Sequence, residues 1–397
     1  MKNNENMGIS ENIYIGRAKG PINIALIKYW GKDNEILITP LNNSISLTLD
    51  SNIFYTETKV TIQAIDLNEH INDKEQMEMQ NITLKINGKN APINSRIKNI
   101  FSKIFLMKFP ICQELSKKKL NIQIESTNTF PMASGCASSA SSMAALTMSI
   151  FSALKLDNEL SKIDITKIAR IGSGSACRSI FGGICEWVKE GGDDSHALQL
   201  YDENYWDLGV KLIIVNQKEK DISSSLGMKI TKETSELFKY RIEHVVNEHL
   251  IKLKQSLEKK DFNSFAEIVI KDSNNFHACC RDSYPTINYL NKESEYIIKA
   301  VFLLNKIYEK NICAYTFDAG SNAFIIYERK NQKFIDGYFN FLLGFSELTD
   351  DLINYFGKKE IEKIKKEIND FALKKPSKER VLKIVNFKLG EGTKIIE

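Results

Sequence analysis

The chain has no uninterrupted apolar run approaching the length that crosses a bilayer, and its opening stretch, MKNNENMGISEN, lacks the apolar centre of a signal peptide. A cytoplasmic protein is the expectation. Nor is there a surplus of one charge: 54 Lys and Arg meet 50 Asp and Glu, a formal +4, and the lysines are scattered through mixed-charge segments. Neither nucleic acid nor a membrane is implied as a partner. The seven cysteines, at 112, 136, 177, 185, 279, 280 and 313, show no disulfide or paired-ligand spacing and read as reduced, mostly buried thiols. The five histidines offer no metal site, since His244 and His249 fall on different faces of a helix and His277 beside Cys279 and Cys280 lacks a second pair. Two catalytic signatures are missing as well. Gly31-Lys32 is followed by Asp33, which breaks the Walker A pattern, and Gly172-Ser173-Gly174-Ser175 is out of frame for a nucleophile elbow.

What is present is a soluble-protein composition, 43% hydrophobic and 26% charged over 397 residues, too long for one ordinary core. Two domains are expected, 13–210 and 211–397, with the boundary near 205–220 and an α+β architecture. Residues 1–12 read as a frayed tail and 66–81 as a polar loop or hairpin extension. KLNIQIESTN alternates like a half-buried strand, NITLKING ends in an Asn-Gly turn, and GVKLIIVNQ has the continuous apolar run of a buried strand. Helical spacing marks Ile242, Val245, Val246, Leu250, Leu253 and Leu257 within 231–260, and Ile361, Ile364, Ile368 and Phe371 in a helix that stops before Pro376.

Four stretches have the residue types of an anion site. FPMASGCASSASSM, 130–143, carries a strand into a helix through small residues, where unpaired N–H groups and the helix dipole suit a phosphate. A Ser-rich turn that merely caps the helix has the same signature. PINIALIKYWGKDNE, 21–35, delivers Lys28, Tyr29 and Lys32 within five residues, and strand alternation would send Lys28 and Trp30 to one face and Tyr29 to the other. ARIGSGSACRSIFGG, 169–183, gathers Ser173, Ser175, Ser179 and Arg178 among glycines, which fits a multiply charged oxyanion. AYTFDAGSNAFIIY, 314–327, reads as two apolar strands joined by a turn that holds Asp318; Asp in a turn is usually structural.

In this order PINIALIKYWGK, FPMASGCASSA, SGSACRSIFGG and DAGSNA resemble the mevalonate diphosphate decarboxylase family of the GHMP kinase superfamily, and the likeness extends through 227–241 and 271–291. The resemblance implies an N-terminal domain like ribosomal protein S5 domain two and a ferredoxin-like C-terminal domain, with the active site in the cleft between. It assigns Asn23, Tyr29, Lys32, Arg96, Ser173, Ser175 and Arg178 to mevalonate 5-diphosphate, Arg178 at its carboxylate. Ser134, Gly135, Ala137, Ser138 and Ser139 go to ATP, and Asp318, Arg178 and Lys28 to catalysis, with Lys28 keeping Asp318 ionised. Mg2+ with unassigned ligands and a homodimer are implied too. The chain departs from the family pattern at Met132, Ser134, Cys136 and Ser321, where Thr, Ala, Leu and Pro are common.

The chemistry implied is ATP-dependent: phosphorylation of the tertiary hydroxyl, departure of phosphate and loss of carbon dioxide to give isopentenyl diphosphate, for isoprenoid and sterol synthesis. The rivals are a superfamily kinase, a decarboxylase of mevalonate monophosphate, and a nucleotide-binding partner or sensor without turnover.

Overall fold

A computed structural model describes residues 12–65, 81–130, 138–215, 221–345, 357, 361, 362, 366 and 381–397. The alternating stretch Lys119–Asn128 is a strand that buries Leu120, Ile122 and Ile124 on one face. It lies in a six-stranded sheet ordered Lys394–Ile395, Asn12–Pro21, Tyr55–Ile65, Lys119–Asn128, Asn81–Ile86, Lys89–Ala91. All its pairings are antiparallel except that of Asn81–Ile86 with Lys119–Asn128. The Asn-Gly turn forms as the sequence implies, with φ of 49° at Asn87 and 77° at Gly88.

Helices Ser95–Phe105, Ser138–Ala153 and Lys162–Gly172 share a core with this sheet. Ser138–Ala153 rests on Asn12–Pro21 and Tyr55–Ile65. A Cβ on Gly20 would stand 2.4 Å from the Ser141 carbonyl oxygen, so only glycine lets the start of the helix settle there. Ser141 Oγ donates to the Gly20 carbonyl at 2.7 Å and pins the contact. The position of the helix N-terminus follows from that close approach.

A second sheet, His196–Tyr201, Ile184–Val188, Ser44–Thr48, Asn23–Ala25, and a third, Cys313–Phe317, Ala323–Glu328, Leu208–Ile214, Lys383–Lys388, contribute to one continuous core. Ile24, Ile45 and Leu47 of the second join it with Val210 and Ile325 of the third. So do Leu253 and Phe265 from the helices Val246–Lys259 and Phe262–Asp282. The strand Leu208–Ile214, in which the expected boundary falls, is buried at every position and pairs only with strands of the third sheet. The final strand returns to the first sheet, Ala18 opposite Ile395.

Two expectations are corrected. The helical pattern of 231–260 is not one helix: Ser224–Thr234 ends where the Ser235 hydroxyl caps Glu236–Tyr240, and a π turn, Arg241–Val245, precedes Val246–Lys259. The wider turn shifts the helical phase, leaving Ile242 and Val245 half-buried and turning Arg241 fully inward. The apolar run from Pro21 forms a strand only over Asn23–Ala25, for the reason given below. Of the expected tail 1–12 and polar stretch 66–81, Asn12 and Asn81 instead begin strands and the rest lie outside the described residues, as does most of the helix expected around Ile364, Ile368 and Phe371. Among the described residues no helix is long and apolar enough to cross a membrane.

Candidate active site

A cleft of about 520 Å³ opens where the strand–turn segments of the first two sheets meet the helices and the turn of the third. Asn23, Lys28, Tyr29, Lys32, Arg96, Ser138, Ser139, Ser173, Ser175, Arg178 and Asp318 all line it. Ser134, Gly135 and Ala137, together with Met132 and Cys136, lie outside the described residues.

Strand alternation fails for Lys28 and Tyr29 because the ladder has stopped. The N–H groups of Leu26 and Ile27 both reach the Ile45 carbonyl, at 2.7 and 3.2 Å, and the chain continues in irregular conformation. Both side chains therefore turn toward the cleft. Lys28 is 2% exposed and its Nζ donates to Asp318 Oδ1 at 2.7 Å. Burial lowers the Lys28 pKa from its ordinary value, and the Asp318 charge works against that fall. Asp318 sits just after the strand Cys313–Phe317 and keeps 28% of its side chain exposed. The turn that carries it is closed by backbone, Gly320 N–H to the Asp318 carbonyl at 2.7 Å, so the carboxylate is directed at Lys28. Ser321, the substituted turn residue, is buried and gives its carbonyl to Ser294 Oγ at 2.8 Å.

Arg178 comes from the short helix Ala176–Ser179 and is 2% exposed. Its Nε and Nη1 have no hydrogen-bond partner among the described residues, and its guanidinium lies 5.8 Å over the Trp187 ring. Buried donors of this kind are normally satisfied. Two N–H groups held out in one plane match the two oxygens of a carboxylate. Tyr29 packs its ring 4.5 Å from Trp187, and its hydroxyl, whose pKa burial raises, is also unpartnered. Gly174 makes room for this arrangement, since a Cβ there would lie 2.6 Å from the Trp187 ring.

The serines are linked in a chain. Ser173 Oγ donates to Ser139 Oγ at 3.2 Å and stands 3.1 Å from Ser175 Oγ, which joins the first turn of Ser138–Ala153 to the glycine–serine loop. Asn23 holds that loop from the other side, donating to the Ser175 carbonyl at 3.0 Å and to Ser179 Oγ at 2.8 Å. Lys32 is buried and paired with Glu35.

Sequence reasoning missed the opposite rim. Ser223, Ser224, Ser225 and Met228 line the cleft from the start of the helix Ser224–Thr234, and Arg96 Nη2 donates to Ser225 Oγ at 2.8 Å. The signal was the serine run in DISSSLG, the same small-residue entry into a helix that drew attention at 130–143. Phe276, Trp30 and Ala319 supply an apolar wall. Nothing local marked Phe276, one apolar position among many on an amphipathic helix.

Family models match almost end to end: a diphosphomevalonate decarboxylase-like N-terminal domain over 20–198 and the mevalonate 5-diphosphate decarboxylase C-terminal domain over 210–396. The diphosphomevalonate decarboxylase of Debaryomyces hansenii is 40% identical over 349 residues, 85% of this chain and 86% of that protein. The mevalonate diphosphate decarboxylase structure from Staphylococcus aureus superposes with a TM-score of 0.73 at 32% identity, covering 97% of this chain and 99% of the other. A structure of MDDEF in complex with MVAPP, AMPPCP and magnesium gives 0.71 at 30% identity, covering 97% and 100%. With sequence and fold agreeing across both halves, the chain belongs to the mevalonate 5-diphosphate decarboxylase family.

Proposed function

We propose that this decarboxylase uses the cleft to turn mevalonate 5-diphosphate and ATP into isopentenyl diphosphate, ADP, phosphate and carbon dioxide, a step in isoprenoid precursor synthesis. The observation that carries the residue assignments is the Lys28–Asp318 pair, 2.7 Å apart, facing a buried Arg178 with unpaired donors. Hydroxide is a very poor leaving group from a tertiary carbon, so the oxygen must first become a phosphate ester. Asp318 takes the hydroxyl proton while that oxygen attacks the γ-phosphorus and the bond to ADP breaks. The ester C–O bond then breaks with both electrons leaving on phosphate, and the carbon gains cationic character. The C–C bond to the carboxylate breaks next, its electron pair forming the new double bond as carbon dioxide departs.

Lys28 Nζ orients the Asp318 carboxylate through its 2.7 Å contact with Oδ1. Arg178 holds the carboxylate through parallel N–H groups. Tyr29, Lys32, Asn23, Ser173, Ser175 and Arg96 take the diphosphate. Ser138 and Ser139 at the helix N-terminus, with Ser134, Gly135 and Ala137 preceding them in sequence, take the ATP phosphates. Magnesium would arrive on those phosphates and offset their charge. The serine hydroxyls and the Asp318 carboxylate are hard oxygen donors that suit it. A homodimer, a cytoplasmic setting and a role in sterol synthesis rest on the family likeness. The division into 13–210 and 211–397 is supported by the strand Leu208–Ile214 pairing only with strands of the third sheet.

The test is incubation of purified protein with ATP and, separately, each mevalonate phosphate, reading carbon dioxide and free phosphate. Both products from the diphosphate alone support the reading. ADP without carbon dioxide identifies a kinase, turnover of the monophosphate a different substrate, and ATP binding without turnover a sensor.

A further inference from the structure

Lys28 and Asp318 reach the cleft from segments 290 residues apart in sequence, and what aligns them lies behind both. The helix Phe262–Asp282 carries Asp272 and Ser273, fully buried and outside the cleft lining. Asp272 Oδ2 accepts the Lys28 backbone N–H at 2.7 Å. Arg241, turned inward by the π turn, donates to Asp272 Oδ1 and Oδ2 at 2.9 and 3.0 Å, and through Nη2 also to the Lys28 carbonyl at 3.2 Å. Both backbone polar groups of Lys28 thereby meet one buried ion pair where the strand ladder has ended, and Asn42 Nδ2 also donates to the Lys28 carbonyl at 3.1 Å. One residue along, Ser273 Oγ accepts the N–H of Phe317, which immediately precedes Asp318, at 3.2 Å. Two neighbours on a single helical turn thus grip the backbone beneath each member of the pair.

The network is closed on its other sides. His249 Nδ1 stands 3.0 Å from Asp272 Oδ1, and Arg241 Nη1 donates to Asn275 Oδ1 at 2.7 Å. Burial alone would push the Asp272 carboxyl up, but the Arg241 charge and these bonds hold it below its ordinary range. A buried ion pair is weak evidence of a stabilising role, because apolar replacements often serve as well. Here it engages the N–H and the C=O on either side of the Lys28 Cα, whose side chain faces the cleft.

We propose that Asp272 and Ser273 are positioning residues that set the separation of Lys28 and Asp318. The inference rests on the decarboxylase reading, which wild-type turnover tests by itself; the ratio of variant to wild type tests the positioning. Ser273→Ala deletes one hydroxyl from the buried face and should lower kcat by about tenfold, since small misplacements of reacting groups slow chemistry steeply. The dissociation constant for mevalonate diphosphate should stay within about twofold, because neither residue touches the cleft. Ser273→Thr, which restores an acceptor, should recover most of the rate. Asp272→Asn, which breaks the bidentate Arg241 pair, should lower kcat by about 100-fold at unchanged substrate affinity. A merely structural role predicts a lower melting temperature with full kcat per folded molecule. Full kcat in folded Ser273→Ala overturns the proposal, whether or not Asp272→Asn folds.

Discussion

Replacing Asp318 with Asn keeps the shape of the side chain and an oxygen within reach of Lys28 Nζ, and removes only the charge and the basicity. The gross attraction between charges 2.7 Å apart is about 6 kcal/mol at an effective dielectric of 20. Most of it is offset, because Asp318 is 28% exposed to screening water and Lys28 is desolvated, as its lowered pKa reflects. The net stability loss should be about 1–3 kcal/mol, the scale of one charged hydrogen bond. The enzyme should therefore fold and be assayable. Its kcat should fall by about 10² to 10⁴, since the hydroxyl proton has no acceptor during phosphoryl transfer. Affinity for mevalonate diphosphate should barely change, because the proposed reading rests it on the diphosphate at Tyr29, Lys32, Ser175 and Arg96. Steady-state turnover, a substrate titration and a thermal melt on one preparation decide the matter. A folded variant within about fivefold of wild-type kcat would refute a catalytic Asp318.

Arg178→Lys keeps the charge but loses the planar fork, and should lower kcat/KM by about 10- to 100-fold, or about 1–3 kcal/mol, in steady-state assays. Gly174→Ala places a methyl group 2.6 Å from the Trp187 ring and 3.0 Å from Tyr29. It should raise KM for mevalonate diphosphate by about tenfold, since overpacking displaces both aromatics. Cys177→Ala should stay active, as the fully buried thiol, pushed up to about 12 by burial, is no nucleophile at neutral pH. An inactive but folded variant there would expose a missed role. His277 is held down to about 3, first by burial and then by the Lys28 charge, against 6.5 in the unfolded chain. Between those values the unfolded chain binds a proton that the folded one excludes, so stability falls as pH drops through that window, by on the order of 5 kcal/mol in all. Urea midpoints at pH 7 and 5 should converge in His277→Gln relative to wild type, and equal slopes in the two proteins would refute this.

The amino-acid sequence by itself determined much that is local. Alternation gave the strand Lys119–Asn128, the apolar run gave Leu208–Ile214, and Asn87-Gly88 gave its turn, because each depends only on neighbouring residues. The motifs named one side of the cleft for a related reason, since a loop that binds an oxyanion needs small residues, hydroxyls and a fixed cation close together in the chain, and left the Ser223–Ser225 rim and Phe276 unseen. Tertiary structure alone decided which way Lys28 faces, because a ladder ends where its partner strand stops bonding, and that partner lies further along the chain at Ile45–Ser46. It also decided that Asp318 meets Lys28 instead of capping its own turn. The Arg241–Asp272 pair was invisible in advance: an Arg and an Asp on amphipathic helices normally read as solvated. Only a π turn and the packing of distant segments made them the support beneath a lysine's backbone.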